Sequence, residues 1–362
     1  VVQDNIGEKE LDAIKKRLQS HFSDGLVIIV GSGLSCAEGL PSMSDLATCL
    51  QDDIPKKLGV LKDEDKKSWG QIDELLKRGQ DIEKALTIVV PSSDLHVLIT
   101  ETVSKFMSGE EAKVFESVIK RSTELRFSKL LKHLLKPKTG IPVITTNYDR
   151  LIEVASETMG MGVDSLFAGY HIGRFDEERS AMSFCYDAQY KRILNKRPVV
   201  ERKFINRIKL LKPHGSLDWY LLDGEPVRCP YNISTAPLII APGLTKLRTG
   251  YDRPFDRHRD KANEYIDAAA RYLIIGYGFN DDHLQTHLEH RLKSGIPALV
   301  LVHSLSSKAR ELIAKCENIV AIESAGYDSK KGSYLIDKSS TIHLDNAEWW
   351  DLKSFIEEVL GP

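Results

Sequence analysis

The chain is short of cysteine, of long hydrophobic runs and of any surplus of charge, and each shortage removes a class of protein. Its five cysteines, Cys36, Cys49, Cys185, Cys229 and Cys316, are odd in number and never closer than 13 residues, so they form neither a disulfide framework nor a zinc ribbon. No apolar run approaches the roughly 18–20 residues of a membrane helix; the longest, Leu26–Val30 and Ala298–Val302, have the length of strands. Lys and Arg number 50 against 52 Asp and Glu, which removes the bulk basic footprint of a dedicated nucleic-acid binder and leaves only a mildly basic stretch at 191–203. The polar, acidic opening residues carry no signal-peptide pattern, so a reducing cytoplasm is the expected location.

What is present is ordinary globular material: 362 residues, 42% of them apolar and 28% charged. That length exceeds the roughly 250–300 residues at which one core stops growing, so a large domain with an appended subdomain is expected. Leu26–Val30 is a continuous aliphatic run that suits a strand covered on both faces. Similar runs lie at 142–146, 208–211, 237–241, 272–276, 297–303 and 319–323, several with helical patterns between them, and the alternation predicts an α/β protein built on a Rossmann-like, mostly parallel sheet. Residues 46–138 are charged, helix-patterned and poor in strand signals, too long for a simple crossover, and read as a helical insertion subdomain. The core is then 24–45 with 139–325, and 326–362 is a strand and helix for packing or oligomer contact. Helices are expected at 9–21, 150–158, 282–293 and 346–359, and irregular insertions at 159–203 and 223–235.

Five turns that follow aliphatic runs carry the chemistry. Gly31-Ser32-Gly33-Leu34-Ser35 serves either as a tight βα turn or as a cradle for phosphate, and it misses the third glycine of the dinucleotide fingerprint, where Cys36 stands. Thr145-Thr146-Asn147-Tyr148-Asp149 offers an amide and a carboxylate that either cap the next helix or face a ligand. Lys212-Pro213-His214-Gly215-Ser216 holds a histidine able to act as a base near neutral pH. Gly276-Tyr277-Gly278-Phe279-Asn280-Asp281-Asp282-His283 opens another helix with glycines, and His303-Ser304 closes the run after it, where small polar groups would meet a ribose. His283, His287 and His290 share a helical face but lack a zinc pattern, and no metal is expected.

In order and chemistry, G-S-G-L-S, T-T-N-Y-D, K-P-H-G-S and G-Y-G-F-N-D-D-H resemble the sirtuin family, which carries G-A-G-x-S, T-Q-N-x-D, H-G and G-T-S. The resemblance covers roughly 24–325 and implies a sirtuin fold with NAD as substrate. It implies that Gly31, Ser32, Gly33 and Ser35 line the diphosphate, that Asn147 and Asp149 meet the nicotinamide and its ribose, and that His214 is the base, making Asn147 and His214 the catalytic pair. Thr146, Gly276, Gly278, Asp281, His283, His303 and Ser304 complete the expected nucleotide-binding set. The departures matter: Gly39-Leu40-Pro41-Ser42-Met43 lacks the arginine of the deacylase segment, both C-x-x-C pairs of the family's zinc ribbon are missing, and 67 residues separate Asn147 from His214. What remains looks like the zinc-free, NAD-hydrolysing branch of bacterial anti-phage defence, and it implies a homo-oligomer and a HerA-type ATPase as partner, with DNA contacted only through that partner. A non-catalytic NAD or ADP-ribose sensor, a nuclease subunit and a residual deacylase are the competing expectations. Lys246, just past the run at 237–241, is an undecided candidate for a ligand or partner contact.

Overall fold

The computed structural model describes residues 2–3, 7–189, 200–231, 233, 235–240, 252–326 and 331–361. Lys246 and most of the basic stretch 191–203 therefore lie outside the described residues. In chain order the strands are β1 Val2–Gln3, β2 Leu26–Val30, β3 Ile141–Thr145, β4 Gly162–Asp164, β5 Phe167–Ala168, β6 Gly173–Phe175, β7 Cys185–Gln189 and β8 Val200–Phe204. They continue as β9 Arg207–Leu211, β10 Trp219–Leu222, β11 Glu225–Arg228, β12 Arg271–Ile275, β13 Ala298–Val302, β14 Ile319–Ser324, β15 Gly332–Ile336 and β16 Thr341–Asp345. The helices are α1 Glu8–Gln19, α2 Ser32–Ala37, α3 Met43–Lys57, α4 Asp63–Lys77, α5 Ile82–Ile88, α6 Ser93–Ile119, α7 Arg126–Lys132, α8 Leu151–Thr158, α9 Glu177–Met182, α10 Phe255–Ala268, α11 Asp282–Lys293, α12 Ser307–Lys315 and α13 Leu352–Phe355.

Ten strands form one sheet in the order β1-β16-β15-β14-β13-β12-β2-β3-β9-β4. Every neighbouring pair is parallel except β14–β15 and β15–β16. The mostly parallel α/β architecture expected from the aliphatic runs is the one that forms, and the reason is visible in how each run divides. Along β2, Ile28 and Val30 enter one core while Val27 and Ile29 enter the other. β12 and β13 split in the same way, Leu273, Ile275, Leu299 and Leu301 to the first face and Tyr272, Ile274, Ala298 and Val300 to the second. A strand buried on both faces has no place for polar side chains, which is why these runs do not alternate. Each fully buried aliphatic contributes about 1.5–3 kcal/mol by leaving water. Residues of α7, α8 and the C-terminal segment complete the first core, and residues of α10, α11 and α12 the second.

Between β2 and β3 the helices α3 to α6 pack on one another around a third core that includes Leu50, Ile54, Trp69, Ile72 and Ile99 and also takes in Leu151 and Leu217 beside the sheet edge. Three expectations are corrected. The described part of the run at 237–241, residues 237–240, does not join the sheet: β9 already has β3 and β4 on its two sides, and Ile239 makes an isolated bridge to Gly215. Neither stretch expected to be irregular is without regular structure; 159–203 contains β4 to β7 and α9, and 223–235 contains β11. Strands of two to five residues are too brief to show a hydrophobic period. The C-terminal helix starts at Leu352, not 346, because Asp351 caps it by accepting from the Lys353 and Ser354 amides. Trp349, Leu352, Phe355 and Ile356 are spent on the first core.

Candidate active-site cleft

The strand order reverses beside β2, with β3 and β9 on one side and β12 and β13 on the other. In open α/β sheets the crevice at such a switch point lies beyond the carboxyl ends of the strands. Because β12, β2, β3 and β9 are adjacent, four of the five turns singled out in the sequence emerge side by side at that edge. They surround a cavity of about 230 Å³ whose lining includes Gly31, Ser32, Ser35, Thr146, Asn147, Asp149, His214, Gly278 and Asp281.

The turn after β2 is held against the turn after β12 with almost no gap. Gly31 N–H donates to the Ile275 carbonyl at 2.9 Å and Gly33 N–H to the Gly276 carbonyl at 3.0 Å. A Cβ on Gly33 would stand 2.7 Å from Gly276 Cα, and one on Gly276, whose φ is +59°, 2.6 Å from the Leu34 nitrogen. Gly33 and Gly276 therefore serve close backbone approach and are not among the residues lining the cavity. Beyond them Phe279 sits in the left-handed region at φ 59°, a conformation that is a genuine outlier for a bulky side chain. Its ring is buried in the second core, which holds the backbone there and aims Asn280 and Asp281 at the cleft.

Asn147, Ser35 and Asp149 form a directed hydrogen-bond chain. Asn147 Nδ2 donates to the Gly31 carbonyl at 2.9 Å and to Ser35 Oγ at 2.8 Å, and Ser35 Oγ donates to Asp149 Oδ2 at 2.6 Å. Asp149 Oδ1 also accepts from the Leu151 amide at 3.1 Å; the residue both lines the cavity and holds the first turn of α8, whose N-cap is Arg150. Across the cavity His214 Nε2 lies 2.5 Å from Asp281 Oδ2. Asp281 is itself fixed at the start of α11, accepting the Leu284 amide at 3.0 Å through Oδ1, where the helix dipole favours a carboxylate. His214 is 17% exposed and Asp281 5%, so both line the cavity and the imidazole is the more open of the pair.

Beneath the two turns lies a set of charges that sequence reasoning left without a role. Lys212 Nζ, 1% exposed, reaches the Asp149 carbonyl, Glu153 Oε1 and Ser216 Oγ. Burial pushes the Glu153 carboxyl above its ordinary range despite Lys212. On α6, Glu111 binds Arg150 through Nε, Nη2 and the backbone amide, and its burial raises it to about 7 even against that guanidinium. His258 is wholly buried against Trp219 and held neutral, lowered to about 3 by desolvation and then by Lys212. The far wall of the cavity comes from the helices between β2 and β3 and the turn leading into them: Pro41, Met43, Leu46, Glu83 and Met107. Leu46 and Met107 have apolar spacing as their only sequence signal, which a core position shares; Pro41 and Met43 lie in the segment compared with the deacylase motif, and for Lys212 and Asn280 membership of the two motifs was the available sign.

The remaining candidates fall elsewhere. His303 and Ser304 follow β13, one strand further out; both are exposed, and the His303 ring packs edge-on against Trp350 at 4.9 Å. His283 lies in α11, but its side chain is outside the described residues. His287 instead pairs with Asp267 at 2.9 Å. Among the described residues no group of three or more His, Cys, Asp or Glu could hold a metal ion, and no helix is long and apolar enough to cross a membrane.

The crevice at the switch point of this doubly wound sheet, faced by a His–Asp pair and an Asn–Ser–Asp chain, stands where open α/β sheets bind their ligands. Residues 142–322 match the family described as SIR2-like domain, and the chain belongs to that family. No curated protein matches it in sequence. Among solved structures it is similar to the crystal structure of a Sir2 homologue–NAD complex, at 14% identity, 99% of this chain, 96% of the other and a TM-score of 0.39. It is also similar to a triple mutant of a Sir2 homologue with 2'-O-acetyl ADP-ribose, at 14% identity, 87% and 90% coverage and 0.38. A third, from work on sirtuin substrate affinity, gives 12% identity, 83% and 90% coverage and 0.39.

Proposed function

We propose that the cleft binds NAD+ and hydrolyses the bond between nicotinamide and ribose, releasing nicotinamide and ADP-ribose. The observation that carries the reading is the meeting of two separately anchored sets, His214–Asp281 and Asn147–Ser35–Asp149, around one cavity at the sheet's switch point. Both Asn147 amide hydrogens are committed to Gly31 and Ser35, which leaves its side-chain oxygen as the acceptor for a ribose hydroxyl or a water. His214 takes a proton from that hydroxyl or water as the C1'–N1 bond breaks and water adds to C1', and Asp281 holds the imidazole in place. Asp149, accepting from Ser35 and Leu151, retains capacity for the carboxamide N–H, and Ser32, which lines the cavity at the start of α2, faces the diphosphate. The resemblance adds a setting in which such hydrolysis depletes NAD+ during anti-phage defence, as a homo-oligomer alongside a HerA-type ATPase.

The test is nicotinamide release from NAD+ by the purified protein, alone and with a HerA-type ATPase, beside Asn147→Ala. Release abolished by the substitution supports the reading. Tight binding of NAD+ without release in either condition would favour a sensor instead.

A further inference from the structure

We propose that Lys212 is a positioning residue that sets the distance across the cleft between Asn147 and Asp149 on one side and His214 on the other; this rests on the NAD+-cleaving reading of the site. A lysine 1% exposed at a strand end is a costly choice, since stripping water from an ammonium carries a penalty of several kcal/mol unless every donor is matched. Here all three are. Nζ donates to the Asp149 carbonyl at 2.5 Å, to Glu153 Oε1 at 2.8 Å and to Ser216 Oγ at 3.0 Å. The Lys212 backbone amide donates to His258 Nδ1 at 3.2 Å, which ties the main chain to α10.

These partners come from both walls. Asp149 belongs to the turn that carries Asn147, and Ser216 to the turn that carries His214. Besides Lys212, the same two turns are joined by Leu217 N–H donating to the Tyr148 carbonyl at 2.9 Å, and Ser216 Oγ approaches that carbonyl at 3.5 Å. Opposite the lysine, a Cβ on Gly215 would stand 2.1 Å from the Leu238 carbonyl, so the histidine turn is pressed from behind and drawn forward through Lys212. Glu153 pairs with the ammonium at 2.8 Å and is not among the residues that line the cavity. The arrangement fixes geometry at a place where a misplacement of about 1 Å lowers a rate by about a hundredfold.

The test pairs Lys212→Met/Glu153→Met, which removes both buried charges together, with Glu153→Gln, which keeps the lysine's contacts to the two turns. Three quantities are read in each: melting temperature, the kcat and KM of nicotinamide release, and amide hydrogen exchange. The double variant should lose at least about tenfold in kcat with KM within about threefold, while exchange quickens at 148–149 and 214–217 and not along β2 or β12. Glu153→Gln should stay within about threefold of the parent in kcat. Unchanged kcat in the double variant, or unchanged exchange in both turns, would overturn the proposal. If the double variant does not fold, Ser216→Ala removes one acceptor without exposing a charge and is read by the same criteria, with a kcat loss of at least about threefold expected. If the parent protein releases no nicotinamide, the functional reading fails and exchange alone decides whether Lys212 ties the turns.

Discussion

The central sheet has a cavity at each end, nearly equal in size and unlike in the polar groups that line them. At the carboxyl ends of β2 and β3 lies the cleft of about 230 Å³ described above. At the amino ends lies one of about 220 Å³, lined by Phe22, Leu134, Ile141, Pro142 and Tyr265 among others. In the first, buried side chains from four turns point polar atoms at one another; in the second, the lining is mainly aliphatic and aromatic and no buried carboxylate or imidazole takes part. The strands are the same, so volume does not distinguish them. What does is direction: helices begin after the carboxyl ends, bringing free amides and capping groups to that edge, and end before the amino ends.

The comparison is broken most sharply by Asn147→Ala and His214→Ala, each expected to lower nicotinamide release by about a hundredfold to ten-thousandfold with the fold retained. Parent-like turnover in either, measured at matched thermal stability, removes the functional distinction between the two ends. Asp281→Asn keeps the shape of the His214 contact and removes its charge; a loss of about a hundredfold in kcat is expected, with little change in nucleotide affinity measured by calorimetry. At the amino-end cavity Leu134→Ala should do the reverse. Deleting a buried leucine there costs about 2–4 kcal/mol by chemical denaturation and leaves kcat within about twofold. A change in kcat beyond that would mean the two ends are coupled.

The smallest expected effect concerns pH. Burial lowers His258 from 6.5 to about 3, so the folded state excludes a proton that the unfolded chain takes up. That contribution is fully present above about pH 6.5 and is lost as pH falls towards about 3, by at most about 1.4 kcal/mol per pH unit. His258→Gln should flatten the fall in melting temperature between those limits; an unchanged slope would show that other groups carry it.

How much of this was readable in the sequence differs by element. The strands were legible where both faces are covered, because β2 and β13 must then be aliphatic throughout and β12 apolar from Tyr272 onward, and the turns after them were legible because glycine, amide and histidine are out of place in such runs. That four of those turns converge was not: adjacency of β12, β2, β3 and β9 is a property of topology, and residues as distant as 31 and 278 meet only once strand order is fixed. His303 illustrates the limit, since it follows an aliphatic strand like the others but lies one position too far out. Leu46 and Met107 were hidden for another reason, because a helix apolar residue facing a cavity has the same spacing as one facing a core. Lys212 stood inside a recognised motif, yet its three partners come from positions 149, 153 and 216, and no local pattern announces them. The run at 237–241 misled because aliphatic content reports burial, not pairing.

The contact between Gly33 and Gly276 has one more consequence. Where most clefts owe their width to the side chains along their rim, the floor of this one is gauged by two bare backbones in touch, each forbidding a Cβ on the other. The cleft thus carries a caliper with no adjustable jaw: a methyl on either glycine would part β2's turn from β12's and carry Ser35 and Asp281 away from each other, whatever the sequence did elsewhere to compensate.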